Sequence, residues 1–452
     1  MDSLAMTELV DLDALTSQAE RLVEAARAAG ADAADAVAIR SVNQVVSVRL
    51  SAVEKVEHSE NEDFGLRVFV GDRNATIAAT LGADVAELAA RAVAMAKAAP
   101  PDRFAGLAPA DRLAHGFPDL DLFDPETPET AALVERARAT ESAGLAVPGA
   151  SNSGGASSYW SRSGVALVTS HGFSGAYAGS RHGHSVSIIA GTGTGMERDW
   201  ESSSKSHLSD LDDPETVGRK AGERAVKRLS PRKIDTRTAT IVYDQRVATG
   251  IIGALTGAIS GSAIARGTSF LKEKLGKRIF APGIRVSDNP LRPRGPGSRP
   301  FDGEGLPSEA FDLVTDGILQ TWILDSASAR ELGLSLNGRA ARGLGTPGPS
   351  ATNVLLHPGE KTPEDLIKDV GEGLYVTDFI GHGSNLVTGD YSRGAAGFWI
   401  ENGELAYPVA EITVAGNLLE MFLHMVAAND IEFRGSYTAP TLAIEGLTIA
   451  GR

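Results

Sequence analysis

The 452-residue sequence contains no cysteine. That absence excludes disulfides, cysteine nucleophiles, thiolate zinc sites and Cys-ligated iron–sulfur clusters. Basic residues are outnumbered, 43 Lys+Arg against 58 Asp+Glu, for a net charge of −15. An acidic balance argues against bulk nucleic-acid binding and for a soluble cytoplasmic protein. A secretory leader needs a basic n-region and an apolar run, whereas here Asp2, Glu8, Asp11 and Asp13 all precede the first base, Arg21. The longest uncharged stretch, Val247–Ala265, approaches membrane-spanning length but holds only six large aliphatics. Its glycines, 250, 253, 257 and 261, step along one helix face. The expectation is a buried helix packed closely on a neighbouring element, against the alternative of a transmembrane pairing face.

Catalytic motifs are equally scarce. None of the nine histidines forms HExxH or HExxxH, and no Walker A sequence occurs. His182-Gly-His184 is the closest pair. On a strand the two would share a face and could reach one metal, or they are exposed polar residues at a strand start. Gly191-Thr-Gly193-Thr-Gly195 reads as a turn, because it follows an antiparallel run and leads into Met196-Glu197-Arg198-Asp199. Ser202…Lys205 and Ser269…Lys272 match the short Ser-x-x-Lys pattern without companion motifs. The segment 266–299 has nine Lys/Arg against Glu273 and Asp288 but no interleaved aromatics, so it reads as a structural or interface loop.

What is present is a foldable chain, 42% hydrophobic and 22% charged, with 50 glycines. Helices are expected at 12–30, 84–98, 127–144 and 214–229, and strands at 44–50, 64–70, 74–80, 164–170, 173–178 and 184–191. The order helix, meander, helix thus occurs twice. A strand at 238–243 and the Gly-faced helix come next, then short strands with short helices near 325–332, 363–370 and 416–428. The class is α+β, with an N-terminal antiparallel sheet with helices and a C-terminal domain of short strands and few helices. The expected division is 1–100, 101–235 packed with it, and 236–452.

The densest unusual sequence is Gly389-Asp-Tyr-Ser-Arg-Gly-Ala-Ala-Gly-Phe-Trp-Ile-Glu-Asn-Gly-Glu404. Residues 397–400 and 407–414 read as a hairpin around the turn 401–404, and 389–395 as a loop before it. That loop either presents Ser392 or Arg393 to a ligand or uses its glycines for a tight crossing.

The run 389–422, with RPFDGEGLPS (299–308), DGILQTWILDSASARELG (316–333) and PTLAIEGLTIAGR (440–452), resembles the TldD/PmbA family, and the resemblance covers the chain in order. The resemblance implies two branches. The catalytic one carries HExxxH on a helix early in its C-terminal domain and a cysteine ligand near the end. Here the positions corresponding to the two histidines fall near Ile252 and Gly257, no carboxylate lies between 247 and 265, and the cysteine is missing. The chain therefore resembles the other branch, PmbA (TldE), with a degenerate metalloprotease-like domain at 236–452.

That resemblance implies a non-catalytic subunit, inactive alone. Its expected partner is a TldD-type catalytic subunit that holds the zinc, the chain itself carrying no cofactor. The complex would degrade unfolded or small peptides and mature peptide antibiotics such as a microcin. The isolated chain could pair with itself. Residues Gly389, Asp390, Ser392, Arg393 and Gly394 are the candidates to face partner and peptide, with no nucleic acid or membrane involved. The alternatives are a stand-alone hydrolase using a Ser/Lys pair or His182/His184, and a peptide-binding regulatory protein.

Overall fold

The computed structural model describes residues 10–80, 82–381 and 383–451. The acidic residues Asp2 and Glu8 lie outside the described residues. In the first unit, α1 (Leu12–Ala28), β1 (Ala33–Arg49), β2 (Ala52–Val70), β3 (Arg73–Thr80) and α2 (Val85–Ala98) form one helix–meander–helix. The second copy is α3 (Thr130–Leu145), β4 (Ala150–Thr169), β5 (Ser174–Ala190), β6 (Glu197–Lys205) and α4 (Pro214–Lys227). The two meanders join into one six-stranded sheet, ordered β3-β2-β1-β4-β5-β6. Their first strands meet at its centre, antiparallel from Asp35↔Thr169 to Val48↔Ala156.

Three of the four helices begin where short acids cap them: Asp11, Asp84 and Asp213 each accept a hydrogen bond from a first-turn backbone N–H. The chain leaves α1 through Gly30, at φ +99°. Even-numbered residues of β1 face all four helices, because side chains alternate along a strand. Ala34, Ala36 and Ala38 meet Leu15, Leu22 and Val93, while Val42, Val46 and Val48 meet Leu133 and Ala137 farther along. Small alanines let α1 and α2 lie close to the sheet.

The strands are longer than the apolar alternation indicated. β2 runs through the charged segment 54–62, and β4 through the Ser/Gly-rich 151–158. Periodicity detects half-buried strands, and residues 54–57 are exposed. Cross-strand partners hold this ribbon instead, including Arg40 with Glu60 and Glu62.

The second unit is built on β7 (Arg237–Tyr243), β8 (Gly373–Ile380), β9 (Asp390–Glu401), β10 (Glu404–Asn417), β11 (Met425–Ala427) and β12 (Leu442–Ala450). The order is β10-β9-β8-β7-β12-β11, and β10 also pairs with β12. β7, β8, β9, β10 and β12 therefore close into a barrel, which removes their open edges. A smaller five-stranded sheet combines 286–288, 311–315, 318–319, 354–356 and 437–438. The class is α+β.

Two helices differ from expectation. The one placed at 416–428 spans only Leu418–Leu423, because Met425–Ala427 is drawn into pairing with β12. The stretch 247–265 is α5 (Gln245–Ala258) and a separate short α6 (Gly261–Ala265). The break lets Gly261 N donate to the Ile323 carbonyl and Ile323 N to that of Ile259.

On the sheet face opposite the helices, Asp35 pairs with Arg67 and with Arg342 from the second unit. Glu304 stands 4.0 Å from Arg67. Burial, reinforced by Asp302, raises the Glu304 pKa to about 7. Trp399, Phe280, Phe422 and the apolar side of α5 share the main core of the second unit.

Candidate functional site

α5 starts at Asp244, whose carboxylate accepts from Arg246 N. One side of the helix, Ala248, Ile251, Ile252, Leu255 and Ala258, is buried. The glycines lie elsewhere and divide: Gly261, at the start of α6, is packed against the Ile323 carbonyl as its spacing led us to expect, whereas Gly250, Gly253 and Gly257 face no neighbouring backbone. Gly250 is exposed. A Cβ at Gly253 would meet nothing within 4 Å; at Gly250 its nearest neighbour would be Arg393 Nη1 at 3.4 Å. At Gly257 it would touch only the tip of Leu386, at 2.8 Å. Gly250, Gly253 and Gly257 therefore line an open groove between α5 and the segment leading into β9. Of the two positions singled out in the sequence, Ile252 is fully buried in the core and Gly257 borders the groove.

The segment 389–395 is not a loop. Asp390 to Ala395 are the first half of β9, paired from Asp390↔Asn417 to Ala395↔Ile412, with Gly394 also opposite Ile380. Its glycine-rich texture concealed the strand. Gly389, at φ +83°, turns the chain into it. Alternation then separates the candidates: Tyr391 and Ala395 are buried, whereas Asp390 and Ser392 are exposed on the opposite face. Ser392 N donates to the Gly383 carbonyl, and Asp390 accepts from Thr388 Oγ1 at 2.6 Å.

Arg393 alone of these residues reaches the groove. Its guanidinium lies 4.2 Å from the Phe379 ring centroid, and Nη2 donates to the Gly381 carbonyl at 3.0 Å. No carboxylate among the described residues pairs with it. Below it, the rings of Tyr243, Phe379 and Tyr391 pack together. Burial pushes the Tyr391 hydroxyl up to about 12, against the opposing pull of Arg393, so both Tyr391 and Tyr243 are neutral phenols.

This arrangement has relatives. Domain families described as the PmbA/TldA metallopeptidase domain 1, central domain and C-terminal domain match residues 34–96, 123–229 and 236–451. The chain is 36% identical over 457 residues to Metalloprotease PmbA of Escherichia coli O157:H7, covering all of both chains. It is 38% identical to the Metalloprotease PmbA homolog of Haemophilus influenzae, over 95% of this chain and 94% of that one. The chain belongs to the PmbA branch of the PmbA/TldD metallopeptidase family. In fold it is similar to TldE from Thermococcus kodakarensis, with a TM-score of 0.84 at 21% identity, over 96% of this chain and 99% of that chain.

Within this PmbA/TldD architecture the other sequence candidates fall into structural places. His182 and His184 are not exposed at a strand start. Both are buried mid-strand on one face of β5, opposite Trp160 and Ser158 of β4. His182 Nε2 lies 3.3 Å from an Asp124 oxygen. Burial, aided by the Arg136 charge, pushes His184 down to about 4. No group of three or more His, Asp or Glu side chains among the described residues is placed to hold a metal ion.

Ser269 commits its proton to the Ala258 carbonyl at 2.6 Å, and Ser202 sits on β6, three residues from Lys205 and hence on the opposite face. In the basic segment, Arg278, Arg285 and Arg294 are paired with Asp316, Asp312 and Asp121/Asp210. They serve as links between loops.

At the β6 edge of the first sheet, two outward-facing backbone N–H groups are already committed. The Trp200 carbonyl accepts from Arg246, so residues 200 and 202 point their backbone groups outward. Their N–H groups already donate to Asp199 and Glu201 carboxylates, at 2.8 and 2.9 Å. Charged side chains used this way protect an edge strand. The groove residues missed in the sequence, Phe379 and Leu386, carried no local signal. Gly253 did, in its spacing with 250 and 257.

Proposed function

We propose that this chain is a non-catalytic subunit of a TldD/TldE-type peptidase complex, working in the cytoplasm with a TldD-type partner that carries the zinc. The observation that carries the reading is the open face of α5. A zinc-hydrolase helix turns histidines and a carboxylate toward its cleft. α5 turns Gly250, Gly253 and Gly257 toward its groove, and no acid occurs from 247 to 265. This donor set does not fit zinc.

The same face suits a different task. Without Cβ atoms, a helix admits a peptide backbone closely, and a guanidinium with no carboxylate partner at one end can hold a carbonyl or carboxylate through its remaining N–H groups. In this reading the groove forms part of the wall around an extended, unfolded peptide, while the partner supplies the reacting metal and water. Substrates would be unfolded or small peptides, including peptide-antibiotic precursors such as those of microcins. Isolated chains could pair through the surface meant for the partner.

The test is a cleavage assay on casein and short peptides with zinc analysis, using the chain alone, a TldD-type subunit alone, and the mixture. The reading expects cleavage only in the mixture and zinc only with the partner. Cleavage by this chain alone would establish the stand-alone hydrolase instead. Peptide capture without partner-dependent cleavage would establish the regulatory binder.

A further inference from the structure

A cavity of about 460 Å³ lies where α4 and β6 of the first unit face the outside of the barrel. That volume is in the range of small-molecule sites. Its barrel side is aromatic, formed by Tyr375, Phe398 and Tyr407. The cations on its other side differ in one respect. Arg224 is paired with Glu201, Arg228 with Asp199 and Asp378, and Arg246 with Asp199 and Asp244. Lys227, exposed at the cavity, has no ion-pair partner among the described residues.

A third feature is built into the strand that forms the floor. β8 pairs with β9 at Val376↔Gly397 and then at Asp378↔Ala396, leaving Thr377 as the extra residue of a bulge. Bulges re-aim side chains and recur beside binding sites. Thr377 lines the cavity, yet its Oγ1 is buried without a hydrogen-bond partner. One χ1 step exchanges the hydroxyl and methyl of a threonine, which would turn the donor toward the cavity.

We propose that this cavity binds an aromatic ring bearing a carboxylate. The ring lies among Tyr375, Phe398 and Tyr407, with the carboxylate at Lys227 and within reach of the Thr377 hydroxyl. Offset and edge-to-face packing favours an aromatic guest in such walls. Lys227, uncommitted among the lining cations, selects the acid over a neutral analogue, while Arg232 is stacked on the Tyr407 ring at 4.1 Å. Either a free aromatic acid or the C-terminal aromatic residue of a peptide carries this chemistry. The site needs no partner subunit, so its failure and that of the subunit reading are separable.

The experiment is calorimetric titration of the full chain at constant ionic strength with N-acetylphenylalanine, its amide, and Gly-Gly-Phe with a free C-terminus. The acid should bind at least about fivefold more tightly than the amide. Lys227→Ala should abolish that difference while leaving the amide's affinity unchanged, and Tyr407→Ala should weaken both. Thr377→Val should weaken the acid without lowering the melting temperature of the empty protein, since it removes an unpartnered hydroxyl. Tighter binding of the tripeptide identifies a peptide terminus as the ligand, and tighter binding of the single residue a free acid. Equal affinities for acid and amide, an unaffected Lys227→Ala variant, or no heat from any ligand at about 5 mM would overturn the proposal.

Discussion

Arg434 joins the second unit to the edge of the first by a two-pronged bond to Glu201, Nη1 to Oε1 at 2.7 Å and Nη2 to Oε2 at 3.3 Å. The carboxylate side chain is almost fully buried, and Arg224 holds it from α4. Burial alone would raise the Glu201 pKa. The arginines and the Ser202 N–H outweigh it and hold the group down to about 2. Such a carboxyl contributes stability above its unfolded pKa of roughly 4.5 and loses it as pH falls toward 2. Melts across that window should therefore show a loss on the order of 2–3 kcal/mol. Glu201→Gln should flatten this dependence, and an equally steep curve in the variant would refute the assignment.

Glu304 predicts the opposite slope in a different window. Its folded pKa of about 7 lies above the unfolded value. The folded state then holds a proton that the unfolded state has released, so stability falls as pH rises from about 4.5 to 7. Glu304→Gln keeps an acceptor for Ser326 N and removes the ionisation. It should raise stability at pH 8 relative to the parent, measured by urea unfolding at pH 5 and pH 8. A variant that loses stability equally at both pH values would show that Glu304 is held as a needed charge.

Arg393→Ala tests the groove. Losing a charge-assisted hydrogen bond costs about 1.5–3 kcal/mol, or roughly ten- to a hundredfold in kcat/KM. The mixed complex should cleave peptides more slowly by that factor while assembling normally on size exclusion. Unchanged cleavage with unchanged assembly would remove Arg393 from the peptide path.

Gly253→Ala separates packing from openness. Its Cβ would meet nothing within 4 Å, so the substitution should stabilise the helix by about 0.5–1 kcal/mol. Gly253→Leu should also fold, because it projects into the groove, but should slow cleavage by the mixed complex. A strongly destabilised Gly253→Leu would mean the groove is filled by the chain itself.

Local chemistry made much of the fold legible. The twofold helix–meander–helix order is readable from periodicity. The charged strand at 54–62 was not, because its pairing is set by β1 and its residues are exposed. Nor was the strand character of 390–395. Glycine at 394 interrupts the apolar alternation, yet it stands opposite Ile380 of β8, a neighbour 14 residues away in sequence. The burial of His182 and His184 was not legible either, because nothing nearby announces that α3 and α4 cover that face of β5.

The sequence by itself determined which metal-binding side chains the 247–265 stretch lacks. With no cysteine in the chain, and no histidine or acid from 247 to 265, that stretch offers no thiolate, imidazole or carboxylate to a metal. Only the tertiary structure decided what the glycine stripe does instead. Small residues permit close packing or an open face equally well. The outcome depends on what stands opposite: the Ile323 carbonyl closes on Gly261, whereas Arg393 and Leu386, more than 120 residues downstream of Gly250 and Gly257, leave Gly253 between them open.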